Sequence, residues 1–387
     1  MQPVAMISRR RALALGAGGL AAAAVGGTFW TLRAKPVPIG YAITEAELAW
    51  ARQFLSDNMA IDAHAHPGRT FMRGAQHLSG KVYLASLLPT FEDKTVAQMR
   101  SGGLTAAAFA AVSDFQALGL NGRMLEAVRQ FEPGEAWASY QRQITNLQAL
   151  GNRGLVHPVL TAADFDGARK AGKPGAFLTV EGGDFLEGKA ERVAQAHADG
   201  VRSITLMHYR NNELGDIITD KPVHGGLTPA GIEVVKAMNE TGLLIDVAHA
   251  AEATAFGILA ASTRPVMASH IQIRSGAADH PRFISRDLAK AVAQRGGGVL
   301  GGWPAGIGIS DLAGFVRRTL ELVSAVGIDH VCLGTDMDAN AAPVLDSYAK
   351  LPHFLVGLRQ QGLNDAAIAK LIGGNFIRLF GETTQAA

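Results

Sequence analysis

The chain reads as an α/β protein whose strands close into a (β/α)8, TIM-like barrel, and three observations predict it. Short apolar runs bounded by Gly, Pro and charged residues alternate with longer stretches of helical spacing; eight such runs occur; and the residues able to do chemistry stand directly after them. All strands of a parallel barrel end at one rim, so side chains far apart in sequence converge there. With 387 residues, 48% of them apolar and 18% charged, the chain can fill such a barrel and lacks the composition of a disordered one.

The first thirty residues differ from the rest. Ser8-Arg9-Arg10-Arg11-Ala12-Leu13 precedes an uncharged, Ala/Gly-rich apolar stretch reaching Leu32, which resembles a bacterial twin-arginine export signal. The stretch is also about long enough to span a bilayer. Export to the periplasm by the twin-arginine route is therefore expected, with cleavage and a lasting membrane tether both left open. Residues 1–35 are taken as this signal or anchor with its linker, and residues 36–387 as a single barrel domain. A capping box, Thr44-Glu45-Ala46-Glu47, opens a predicted helix from Thr44 to Asn58.

The predicted strands follow: Ala60 to Ala63, Leu104 to Val112, Ala176 to Val180, Val201 to Met207, Leu243 to Ala248, Pro265 to Ala268, Gly298 to Trp303 and His330 to Gly334. Ala250 to Ser262 reads as a crossover helix. The long stretch from Ser113 to about Gly154 reads as an elaborated loop over the barrel mouth, helical from Asn121 to Leu150 with a break at Pro133-Gly134.

A formal net charge of +2 excludes a broad polyanion-binding surface, so nucleic acid is not an expected partner. Removing residues 1–30 takes away three arginines and no acid, which leaves the exported body close to neutral. The single cysteine, Cys332, excludes an intrachain disulfide and lies in an apolar run, as a core thiol does.

The strand ends carry His64 and His66, Glu181, His208, His249, His270 and Asp336. Residues i and i+2 of a strand share a side, so both imidazoles of His64-Ala65-His66 can face one ion. With His249, His270 and Glu181 they make a set of four imidazoles and a carboxylate, suited to two divalent ions, zinc by softness. Two such ions sharing a carboxylate and a hydroxide can generate a nucleophile near neutral pH and polarise a carbonyl. Asp336, after the eighth run, is placed to take the water's proton and hand it to a leaving amine. Asp338 reads as structural.

The segments Thr205-Leu206-Met207-His208-Tyr209-Arg210-Asn211-Asn212-Glu213-Leu214-Gly215-Asp216, His224-Gly225-Gly226-Leu227-Thr228-Pro229, Leu244-Ile245-Asp246-Val247-Ala248-His249, Pro265-Val266-Met267-Ala268-Ser269-His270, His280-Pro281-Arg282 and Gly373-Gly374-Asn375-Phe376 together resemble the membrane (renal-type) dipeptidase family. The resemblance runs from about Asp62 to Phe380. It implies hydrolysis of dipeptides at a binuclear zinc centre, with Glu181 bridging the ions, His64 and His66 on one, and His249 and His270 on the other. It further implies that His208 contacts the carbonyl oxygen or tetrahedral intermediate, that Arg282 pairs with the substrate's carboxylate, and that Asp336 shuttles the proton. A homodimer is compatible with it.

One position departs from the family's usual His-x-Asp: the chain has His66 where that aspartate would stand. A neutral imidazole in place of a carboxylate raises the charge of the centre by one unit. Two other readings stay open beside the dipeptidase: a related metallohydrolase of another small amide, lactone or ester, and a non-catalytic exported metal-binding barrel.

Overall fold

The computed structural model describes residues 36–384, apart from 79, 122–123, 276–278 and 341. The predicted export or anchor segment lies outside the described residues, among which no helix is long and apolar enough to cross a membrane. The residues from Pro38 onward form one compact unit.

In chain order the strands are β1 (Ile61–Asp62), β2 (Ala106–Val112), β3 (Leu118–Asn121), β4 (Met124–Ala127), β5 (His157–Pro158), β6 (Gly175–Glu181), β7 (Val201–Thr205), β8 (Leu244–Asp246), β9 (Met267–Ile271), β10 (Val299–Gly302) and β11 (Val331–Leu333). The eight predicted strands are β1, β2 and β6 to β11. They pair in parallel around a closed ring, β1 meeting β11 through Asp62 and Leu333, and β2 meeting β6 from Ala106 opposite Gly175 to Val112 opposite Glu181. Two-residue β5 pairs with Gly175 and Ala176 of β6, before the pairing with β7 begins at Leu178.

Side chains choose these elements for local reasons. β2 is Ala-Ala-Ala-Phe-Ala-Ala-Val and buried throughout, because a barrel strand packs on both faces and leaves no alternation of apolar and polar residues. The first helix runs Glu45–Asp57, with the Thr44 hydroxyl capping the Glu47 amide and the Glu47 carboxylate reaching back to the Thr44 amide. The crossover helix after β8 occupies Glu252–Ala261.

The end of the barrel opposite the strands' C-termini is shut by the last helix, Asn375–Thr383. Its Phe376 stacks on Phe177 of β6 at 5.1 Å and joins Ile61, Ala106, Leu244 and Cys332 in one buried cluster. Cys332 is thus a core thiol. Asn375 donates to the carbonyls of Ile328 and Val331 at 2.7 and 2.8 Å, and a Cβ on Gly373 would come within 2.1 Å of the Met59 carbonyl. The Gly373-Gly374-Asn375-Phe376 motif is therefore a floor for the barrel, far from the strand ends that carry the chemistry.

Two expectations are corrected. Helix was expected from Asn121, but residues 118–127 form the antiparallel hairpin β3–β4, and helix begins only at Glu135, after Gly134 in a left-handed conformation. The alternation of Leu118 and Leu120 across Gly119, followed at once by Gly122, is a strand-and-turn signal that outweighs the helical spacing. The sixth strand lies further on than expected, Met267–Ile271, so His270 sits within it rather than after it.

Candidate metal centre

Glu181, the last residue of β6, is buried at the centre of the rim. Its Oε1 lies 3.3 Å from His64 Nε2, 3.1 Å from His249 Nε2 and 3.5 Å from His270 Nε2; its Oε2 lies 3.2 Å from His66 Nε2 and 3.3 Å from His208 Nε2. Five imidazoles from β1, β7, β8 and β9 thus converge on one carboxylate, as the strand-end rule predicts. Asp336 adds a second carboxylate, 3.5 Å from His66 Nε2. His64, His66 and Asp336, then His64, Glu181 and His270, then Glu181, His208 and His249 each bring ligand atoms close enough to share an ion.

A layer of buried acids and hydroxyls aims these rings. Asp246 accepts from the amides of Ala248 and Ser269 and from the hydroxyls of Thr205 and Ser269, the last two at 2.6 Å. Since the Ser269 hydroxyl gives its only proton to Asp246, it must accept at 2.9 Å from His270 Nδ1–H. That fixes the tautomer: His270 presents a bare Nε2 lone pair to the centre. The Ala110 carbonyl, 3.3 Å from His66 Nδ1, fixes His66 the same way. Asp62 plays the part of Asp246 under β1, accepting from the amides of His64 and Thr335 and from the Thr335 and Tyr348 hydroxyls. The Ser269 carbonyl packs so closely on β10 and β11 that a Cβ at Gly301 or Gly334 would lie 1.7 or 1.8 Å from it. Only glycine fits at either position.

The donor set fits a divalent cation. Burial and the neighbouring Arg282 hold His249 well below the ordinary imidazole range, and burial, His64 and Arg282 do the same for His270. Both are then neutral, which is the ligand form. Burial opposes charge on His64 too, yet Glu181 outweighs it and raises the pKa. Glu181 itself, although buried, is held well below the usual carboxylate range by His208 and His64. The pocket stabilises positive charge beside Glu181, and neutral imidazole nitrogens suit a divalent transition metal there.

The remaining groups face the cavity. His208 Nδ1–H donates to Asp114 Oδ1 at 2.6 Å, and the Tyr209 amide donates to Asp114 Oδ2 at 2.9 Å. Burial disfavours the imidazolium, but Asp114 and then Glu181 push His208 up to about 9. Asp336 is raised to about 6 by burial and by Glu181, against the pull of His66. His249 and Asp336 both hold positive φ, 66° and 55°, which is costly for residues with a Cβ and concentrates at functional sites. Asp338 is structural, as expected: its carboxylate accepts from the Gly68 amide and the Thr95 hydroxyl, each at 2.7 Å.

Arg282 is 2% exposed. Its guanidinium lies over the Trp303 ring at 5.3 Å and places Nη2 2.9 Å from His270 Nε2, while Nε and Nη1 have no partner. Burial lowers its pKa, but a guanidinium stays charged. The cavity in front of it holds about 430 Å3 and includes His66, Glu181, His208, His249, His270 and Asp336 in its wall. That is the size of a small-molecule site.

A model of the membrane dipeptidase family, peptidase family M19, matches residues 49–387. The chain belongs to that family. Among similar proteins, dipeptidase verJ of Clonostachys rogersoniana is 30% identical over 234 residues, 56% of this chain and 57% of that protein. Dipeptidase aclJ of Aspergillus oryzae is 28% identical over 225 residues, 56% of this chain and 53% of that one. The chain thus spans little more than half the length of the curated relatives it matches. Similar folds include the probable dipeptidase PvdM of Pseudomonas aeruginosa, with a TM-score of 0.73 at 19% identity over 89% of this chain and 100% of that one. A metallo peptidase of Rhodobacter sphaeroides, liganded with a phosphinate mimic of L-Ala-D-Ala, gives 0.68 at 18% identity over 84% and 99%.

In this M19 chain all eight site residues expected from sequence line one cavity or the cluster beneath it. Asp114 and Trp303 were missed. They follow the second and seventh strands, the two ends to which no residue had been assigned, so the strand-end rule itself was the available signal. The buried Asp62, Asp246 and Ser269 carried no signal separable from core polarity. The Gly225-Gly226 motif is loop architecture, with Asp216 accepting from the amides of Val223, His224 and Gly226 at 2.7 to 2.9 Å.

Proposed function

We propose that the protein is a metal-dependent dipeptidase. The observation that carries the reading is Arg282: a buried guanidinium with two partnerless nitrogen groups, beside a cluster of imidazoles and a carboxylate. A buried fork of N–H donors calls for a planar anion, and a substrate's terminal carboxylate matches it in a bidentate manner. Glu181 would bridge two divalent cations, zinc by the imidazole-rich donor set, with His64 and His66 toward one and His249 and His270 toward the other. When bound, such ions supply Lewis acidity and lower the pKa of water toward neutrality.

The chain's own groups do the rest. Arg282 fixes the carboxyl end, so the carbonyl one residue earlier falls over the cluster. His208, held as a cation by Asp114, donates from Nε2 to the carbonyl oxygen as negative charge builds on it. Asp336 takes the proton of the attacking water at its carboxylate and passes it to the departing amine nitrogen. Burial and the neighbouring Glu181 raise its pKa, which strengthens its carboxylate as a base for that transfer.

A panel of free dipeptides, lactones and small esters, offered to the zinc-loaded protein, tests the reading. Hydrolysis of dipeptides ahead of the others is expected. Turnover of a lactone or ester with none of any dipeptide would transfer the assignment to another metallohydrolase class.

A further inference from the structure

The cavity is not symmetric about the cluster. Arg282 contacts His270, His270 stacks on His64 at 4.1 Å, and His64 neighbours His66 at 5.0 Å. The far side of His66 meets the Phe71 ring edge-on at 5.3 Å, and Phe71 meets Phe115 at 4.9 Å. Val82 and Val112 are buried in the same apolar cluster, and Leu125 of the β3–β4 hairpin packs on it. Phe71, Val82, Val112, Phe115 and Leu125 all line the cavity. The site therefore has a carboxylate clamp at one end, the reacting groups in the middle, and a wall of aliphatic and aromatic side chains at the other.

Resting on the dipeptidase reading, we infer that this wall is a subsite for a large apolar side chain on the residue that supplies the scissile carbonyl. With the carboxyl end on Arg282 and the carbonyl over the cluster, the next substituent in the amino-terminal direction points past His66 to Phe71 and Phe115. Two acidic residues line the cavity among those described, Glu181 and Asp336, and both belong to the cluster. The wall offers no partner for a cationic side chain, and Arg69 and Lys81 on the same lining disfavour one further. Leucine or phenylalanine in the amino-terminal position is the class the wall fits. Leu125 and Leu118 come from the hairpin, so the hairpin sets this preference.

The test is a series with a constant carboxyl-terminal alanine: Gly-Ala, Lys-Ala, Leu-Ala and Phe-Ala, on zinc-loaded protein. Leu-Ala and Phe-Ala should exceed Gly-Ala by roughly 10- to 100-fold in kcat/KM, the effect of burying such a side chain. Leu125→Asp should shrink that ratio at least severalfold and raise Lys-Ala relative to Leu-Ala; Leu125→Ala, a milder change, should shrink the ratio without favouring Lys-Ala. Calorimetric binding of Gly-Ala and Phe-Ala to the same proteins separates the two claims. Tighter binding of Phe-Ala that Leu125→Asp abolishes, with no turnover of any dipeptide, would sustain the subsite and remove the dipeptidase reading. Equal binding and equal kcat/KM for Gly-Ala and Phe-Ala would overturn the subsite.

Discussion

Replacing Arg282 by alanine separates a dipeptidase from a general amide hydrolase. The guanidinium is 2% exposed, with Nε and Nη1 lacking partners and Nη2 against His270. A substrate carboxylate would complete a charge-assisted pair with this buried guanidinium. Leaving one member of such a pair buried and alone costs about 2 to 5 kcal/mol. At 1.4 kcal/mol per decade this is about thirtyfold to several thousandfold in kcat/KM. The wild-type protein should therefore cleave a free dipeptide faster than its C-terminal amide by a factor in that range. Arg282→Ala should lower dipeptide hydrolysis to about the level of the amide and flatten the preference, while zinc content by elemental analysis stays the same. Equal wild-type rates on the free and amidated substrates would refute the clamp, and with it the reason for reading a limit of one residue beyond the scissile bond.

Four further outcomes follow from the geometry. Asp114→Asn removes the carboxylate that holds His208 Nδ1–H at 2.6 Å and raises its pKa; kcat should fall by roughly 10- to 100-fold, with metal content unchanged, and a variant with wild-type kcat would remove His208 from the chemistry. Ser269→Ala deprives His270 Nδ1 of its acceptor; zinc affinity measured by competition with a chelator should weaken roughly 10- to 100-fold, and unaltered affinity would mean that the tautomer is not set there. Thr44→Ala removes the first helix's cap and should cost about 1 kcal/mol in denaturant unfolding. The Glu47 carboxylate is lowered to about 2 by Gln360 and Thr44. Because its folded pKa is depressed, its stabilisation is present above about pH 4.5 and fades as pH falls toward 2. The difference in melting temperature between wild type and Glu47→Gln should accordingly narrow across that window, and a constant difference would contradict the link.

Much of the barrel was legible because its signals are local. Each parallel strand is a short apolar run with punctuation, and Glu181, His208 and Asp336 announce themselves by following one. The hairpin β3–β4 was not legible as such, since the alternation of Leu118 and Leu120 is too short to stand out from the helical spacing of the long stretch behind it, and only Gly122 marked a turn. His270 was expected two residues beyond its strand, because the apolar run from Pro265 stops at Ala268 and polar Ser269 and His270 follow, whereas the pairing begins at Met267 and continues to Ile271. The supporting layer was invisible for a different reason. Asp246 and Ser269 act through hydrogen bonds across β7, β8 and β9, and such contacts exist only once neighbouring strands are in register. The same holds for Asp114, which meets His208 from 94 residues away.

Stepwise addition of zinc to chelator-treated protein, with dipeptide hydrolysis followed at each point, tests the central claim most directly. Activity should be absent at the start and rise to a break at about two equivalents per chain, as a binuclear centre requires. Full activity in the chelated protein would contradict the account.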